Sequence, residues 1–202
     1  MNNYICINDQ KISLSEEQVQ QIRGSFGLPE MKLADVPVGV TSKIGDHEMI
    51  VLAQINGATL LLRKDPLRES QEFGTDNNYN GSYVDDICNE FAAEIAAIVG
   101  QDNIILHDVD LTADDGLKDY GVIQRYASLL TTDQARRYVE LLDKYKLDVS
   151  FWLATAWSTP KHGDKSWVKC VSPSGCIYYD FYYYDFAVRP FCILKSDIFV
   201  SQ

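Results

Sequence analysis

Residues 151–157 read Phe-Trp-Leu-Ala-Thr-Ala-Trp and open a C-terminal stretch made of strand and turn signals alone. Further strand-like runs fall at 166–171, 176–184 and 188–194, and Ser172-Pro173-Ser174-Gly175 is a tight turn between two of them. Upstream, Thr131 stands three residues before Gln134, a capping-box spacing that predicts a helix reaching Tyr145. Ahead of it lie an acidic loop at 108–119 and a short strand predicted at 103–107. Ser82 is placed to cap a helix whose stripe is Val84, Ile87, Phe91, Ile95 and Ile98, with Gly100 at its end. Segments 49–54 and 58–63 flank Asn56-Gly57, the strongest short hairpin signal, and a long polar loop follows at 65–81. At the start, 4–7 and 11–14 alternate around Asn8-Asp9 as a hairpin, and Ser15 with Gln18 predicts a helix over 16–23. Hairpins, two helices and then strands give an α+β chain, not a parallel βαβ one. The expected division is a hairpin-helix appendage at 1–30 and one domain at 31–202.

The 202 residues carry 46% hydrophobic and 23% charged side chains, enough to bury a core. Eighteen Lys and Arg face 29 Asp and Glu, a net charge of −11. Such a surface repels phosphate backbones, so direct nucleic-acid binding is disfavoured. Met1 to Leu14 has no secretory pattern, and no stretch is apolar enough to span a bilayer. The expected location is the cytoplasm, or a virion that carries the protein out. Cys6, Cys88, Cys170, Cys176 and Cys192 are odd in number and form no CxxC pair, so reduced thiols are expected rather than a disulfide or zinc framework.

Three features bear on chemistry. Asp76, Asn78 and Asn80 precede Gly81 at the spacing that opens a calcium loop, with Asp85 a stand-in for the missing distal glutamate. A turn leading into the Ser82-capped helix explains the same residues without Ca2+. The acidic run Asp108, Asp110, Asp114, Asp115 and Asp119 suits a hard cation, a basic partner or plain solvation. The aromatic run is the most distinctive: seven of the chain's 23 aromatics lie between 178 and 186, namely Tyr178, Tyr179, Phe181, Tyr182, Tyr183, Tyr184 and Phe186. Strand alternation cannot bury them all, so several rings are exposed or packed on another element such as Trp152, Trp157 or Trp167. His47, His107 and His162 are isolated, and no nucleophile elbow, P-loop or dinucleotide fingerprint occurs. No enzyme is expected.

Leu129-Leu130-Thr131-Thr132-Asp133-Gln134, Trp152-Leu153-Ala154-Thr155-Ala156-Trp157-Ser158, Val168, Gly175 and Val188-Arg189-Pro190-Phe191-Cys192 together resemble a bacterial and prophage family of unknown function. Tyr79-Asn80-Gly81-Ser82-Tyr83-Val84 with Asn89-Glu90-Phe91 resembles that family's earlier element, and Ala187 stands where the family has Gly. The family is similar to the C-type-lectin-like fold, in the branch that includes formylglycine-generating enzymes and phage tropism proteins. The resemblance implies a two-helix domain with a mixed, mostly antiparallel sheet whose loops display a ligand surface, with Trp152 in the core and Arg189 pinning the last strands. The copper-binding cysteine pair of the enzymes is not recognisable in Cys170 and Cys176, so a divergent oxidase is the least favoured reading. In tropism proteins a retroelement varies adenines of asparagine codons; every residue from 176 to 186 is reachable that way, so the run resembles a diversified surface.

The first expectation is therefore a phage- or prophage-borne, lectin-like binding module for a protein or glycan, with Trp157 and Trp167 beside the run and the 158–165 loop on the same face. Its rival is an acidic intracellular inhibitor that imitates nucleic acid against a basic bacterial defence nuclease. The acidic and aromatic stretches read as two separable surfaces.

Overall fold

A computed structural model describes residues 30–201 together with strands β1 (Tyr4–Ile7) and β2 (Gln10–Ser13). These two pair antiparallel with Ile7 opposite Gln10, the predicted hairpin. The helix expected at 16–23 lies outside the described residues.

Two sheets form the body. The larger contains β3 (Glu30–Lys32), β4 (Thr41–Ile44), β5 (His47–Ile55), β6 (Ala58–Arg63), β10 (Ala127–Ser128), β15 (Phe191–Lys195) and β16 (Phe199–Ser201). Its order is β10-β15-β6-β5-β4-β16-β3. The smaller contains β7 (Arg68–Glu72), β11 (Phe151–Ala156), β12 (Trp167–Val171), β13 (Ile177–Phe181) and β14 (Asp185–Val188), ordered β13-β12-β11-β14-β7. A separate hairpin joins β8 (His107–Asp110) to β9 (Val122–Arg125). Among the described residues the pairing of β11 with β14 is parallel and every other pairing is antiparallel.

The strongest local signals produce the elements they predict. Asn56 and Gly57 both have positive φ, 51° and 78°, which the tight turn between β5 and β6 requires and which glycine and asparagine adopt cheaply. Helix α1 (Tyr83–Val99) is capped by Ser82, whose hydroxyl accepts from the Asp85 amide, a contact worth about 1 kcal/mol. Helix α2 (Thr132–Arg137) carries the predicted capping box in full: the Thr131 hydroxyl accepts from the Gln134 amide, and the Gln134 side chain accepts from the Thr131 amide.

Burial refines the α1 stripe. Val84, Cys88, Phe91, Ala92 and Ile95 are buried, while Ile98 is 49% exposed. The helix leans across both sheets: Val84 and Cys88 join the core around Trp152, whereas Phe91 and Ile95 pack on Met49, Val51 and Leu61 of the larger sheet. Between the two sheets lies a third cluster, with Ile50, Leu62 and Phe191 on one side and Phe151, Leu153 and Ala187 on the other. Strand β11 is thus covered on both faces, since all six of its residues are buried.

Several expectations need correction. The described residues hold three helices, not two, because the helix predicted to reach Tyr145 breaks at Tyr138 and resumes as α3 (Val139–Lys144). Ala135, Tyr138 and Leu142, spaced i, i+3 and i+7, keep one face on the inter-sheet core across the break. Residues 101–103 form a 3₁₀ turn, and the strand foreseen at 103–107 starts only at His107. The acidic loop begins as β8 and returns as β9. The polar loop hides β7, an edge strand paired with β14 alone; exposed on most positions, it has no apolar alternation to read. Ala187, where the similar family has Gly, lies in β14 and donates its amide to the Ser150 carbonyl. The α+β class stands.

Candidate functional site

The aromatic run is not one strand. It comprises β13, a turn closed by the Tyr184 amide donating to the Phe181 carbonyl, and β14. Register places Phe181 opposite Trp167 and Tyr179 opposite Lys169, so these four side chains share one face of the β12–β13 pair. Trp167 stacks on Phe181 with centroids 3.7 Å apart and meets Tyr179 edge-on at 5.3 Å. Trp157, just past β11, packs on Tyr179 at 4.5 Å, and Tyr178 stacks on Tyr179 at 5.0 Å. Beyond the turn Tyr183 stacks on Phe181 at 5.0 Å, Tyr184 meets Phe181 edge-on at 5.9 Å, and Tyr182 touches Tyr183 at 5.3 Å.

Eight of the nine aromatics singled out in the sequence therefore form one connected row of rings. The ninth, Phe186, instead covers Trp152 at 4.5 Å and, like Tyr182, is partly buried against the core. The outward rings are Tyr178, Tyr183, Tyr184 and Trp157, between 38% and 56% exposed. Each ring contact adds about 0.5–1.5 kcal/mol beyond burial, so the row is stiffened before any ligand arrives.

The acidic loop lies against this row rather than apart from it. Asp114 accepts from Lys169 at 3.2 Å, and the same ammonium stands over the rings of Trp157 at 5.1 Å and Tyr179 at 5.5 Å. Asp115 accepts from the Ser158 hydroxyl at 2.6 Å and contacts the His162 ring at 3.0 Å; the Ser158 contact is the main reason its carboxyl sits below the usual range. Asp119 accepts from Thr159. Loop 158–162 is thereby tied to the acidic loop, and the two expected surfaces are one continuous region. Lys169, 5% exposed, is the link that sequence reading missed. A lone lysine inside Trp167-Val168-Lys169-Cys170-Val171 was the available signal, since a buried ammonium requires a partner. Replacing Lys169 by Met should cost about 1–2 kcal/mol rather than more, because Asp114 retains Arg136 at 3.1 Å. Denaturant midpoints and near-UV dichroism of Trp157 would measure it; an unchanged aromatic spectrum would mean Lys169 does not order the row.

The calcium-like residues have protein partners. Asp76 accepts from the Asn78 amide, Asn78 from the Asn80 amide, and Asn80 from Arg125 at 2.8 Å. Asp85, 1% exposed, takes Arg125 in a two-pronged pair at 2.8 and 2.7 Å and also accepts from the Gly81 amide. The loop's positive charge thus comes from a guanidinium. The neighbour that fastens the loop is Asn77, fully buried, which donates to the Ser158 and Trp167 carbonyls and accepts from Tyr120.

Cys88, Cys170 and Cys192 are buried free thiols, each pushed up to about 12 chiefly by burial, which suppresses the nucleophilic thiolate. Cys176 is free and exposed across the turn from Cys170. Arg189 is buried and donates to the Arg63 and Tyr145 carbonyls, joining β6 to the chain after α3. No helix among the described residues is long and apolar enough to cross a membrane. No family model, no curated protein and no solved structure matches the chain.

Proposed function

We propose that the chain is a non-catalytic binding module of the C-type-lectin-like kind, borne by a phage or prophage, which recognises a glycan or protein through the aromatic row. The observation that carries this reading is the exposure of Tyr178, Tyr183, Tyr184 and Trp157 at the ends of one stacked series. Tyrosine and tryptophan give large contact area for few rotatable bonds, and their planar faces stack on sugar rings as readily as on side chains. The lectin-like assignment draws support from Trp152 in the core, the role its resemblance implies, whereas Arg189 donates to β6 and Tyr145 rather than to the last strands. A retroelement-varied surface, if present, would centre on Tyr178, Tyr179, Tyr183 and Tyr184, since Phe186 is held by Trp152.

Screening against an array of bacterial surface polysaccharides tests the reading. Wild type should be retained, and the double variant Tyr183→Ala/Tyr184→Ala should lose at least about tenfold in affinity with little salt dependence, while the chain stays folded and melts only a few degrees lower for the lost contacts to Phe181. Binding that survives this variant but disappears in salt would move the function to the acidic side and favour the inhibitor reading.

A further inference from the structure

A second feature, which shares only Asp114 with the margin of the aromatic row, is a cleft of about 330 Å³ between the outer face of β8 and the start of α2. Asp108 and Asp110 enter it from one face of β8, where alternation buries Val109 on the other. Asp114, Arg136, Thr132 and Thr155 complete the wall that matters here.

The wall is rich in acceptors and short of positive charge. Arg136 bridges Asp114 at 3.1 Å and Asp133 at 3.1 Å, so one guanidinium is already seated at the rim between two carboxylates. Asp108 and Asp110 have no such partner. One oxygen of each is fixed: Asp108 Oδ1 accepts from Gln124, and Asp110 Oδ1 accepts from the Thr112 amide and hydroxyl at 2.9 and 2.6 Å. The second oxygen of each has no hydrogen-bond partner among the described residues, and the two side chains lie about 7 Å apart along the strand. Thr132 adds an independent sign of a ligand. It is 2% exposed and lines the cleft, yet its Oγ1 has no hydrogen-bond partner, although its amide is satisfied by Thr155. Buried hydroxyls are rarely left so.

We propose that this cleft binds an organic cation carrying a guanidinium group, with Asp108 and Asp110 accepting its N–H donors and Thr132 contributing a hydroxyl. A planar fork of donors matches carboxylates held at fixed orientation, as Arg136 does alongside. The volume admits a headgroup with an alkyl stem rather than a bare ion, and among the described residues no three His, Cys, Asp or Glu side chains gather as a metal set. The group can belong to a free small molecule or to an arginine of a partner chain.

Amide NMR titration of the full chain with agmatine, with a short arginine-containing peptide and with calcium chloride tests the proposal. Saturable shifts at Asp110, Thr132 and Thr155 are expected with the guanidinium probes. Tighter binding of the peptide assigns the group to a protein partner; tighter binding of agmatine assigns it to a small molecule. Asp108→Asn and Asp110→Asn should each weaken binding about ten- to a hundredfold. Thr132→Val should weaken it several-fold without lowering the melting temperature, which distinguishes a ligand contact from a structural one. Tyr183→Ala/Tyr184→Ala should leave it unchanged, so failure here and failure of the aromatic reading are distinguishable. No shift with either guanidinium probe at about 10 mM, equal shifts in the Asp108→Asn and wild-type chains, or saturation by calcium alone would each overturn the proposal.

Discussion

Replacing Trp152 by alanine should lower stability by about 3–5 kcal/mol, a large part of what holds a domain of this size. The indole is fully buried, wedged between Phe73 at 5.6 Å and Phe186 at 4.5 Å, and its Nε1 donates to the Gln71 carbonyl at 2.8 Å. It therefore joins β11 at the centre of the smaller sheet to its neighbour β14 and to β7 at the far edge. Truncation leaves a cavity and an unpaired carbonyl together. Thermal melting should fall by about 10 °C or more, and Trp152→Phe should recover the packing share but not the hydrogen bond. Proteolysis should then begin near 68–75, where β7 loses its anchor. A loss under about 1 kcal/mol would mean that the site can collapse around the missing ring.

Arg125→Leu should be nearly as damaging, at about 3 kcal/mol, because it strips the two-pronged partner from Asp85. The carboxylate is 1% exposed and the guanidinium 20% exposed, so little water can replace what is lost. Only the Gly81 amide would still reach that carboxylate. Asp85→Asn should cost less, since a neutral amide is cheaper to bury, and the double variant should regain part of the loss. Denaturant midpoints of the four chains give the coupling directly. The same series bears on the calcium-like spacing of Asp76, Asn78, Asn80 and Asp85. Methylguanidine should restore part of the Arg125→Leu loss by refilling the guanidinium's place; restoration by calcium instead would return the loop to a cation-binding reading.

Both residues show how unevenly the fold could be read in advance. Trp152 stood out as a core residue through its resemblance, and Ser82, Gly100, Thr131 and Asn56-Gly57 announced their caps and turns. Each of those signals acts between residues no more than a few positions apart, so the chain displays it before folding. Arg125 gave no sign, because its partner Asp85 lies forty positions away. Strand β7 was unreadable for a different reason: an edge strand with both faces largely in water needs no apolar pattern. Within the candidate surface, exposure of some rings followed from the impossibility of burying seven in a row. Which rings they are did not follow. Phe186 and Tyr178 belong to the same run, yet one is packed on the core and the other is 56% exposed.

By itself, then, the sequence determined the α+β class, the local caps and turns, the unusual density of aromatics at 178–186 and the net charge of −11. Tertiary structure alone decided how that charge is used. Asp114, Asp115 and Asp119 are spent on Lys169, Ser158 and Thr159 and bind the acidic loop to the aromatic row, while Asp108 and Asp110 face the cleft. The physical reason is range. A cap or turn is a contact between near neighbours, whereas the Lys169–Asp114 pair spans 55 positions and exists only once both sheets have brought its ends together.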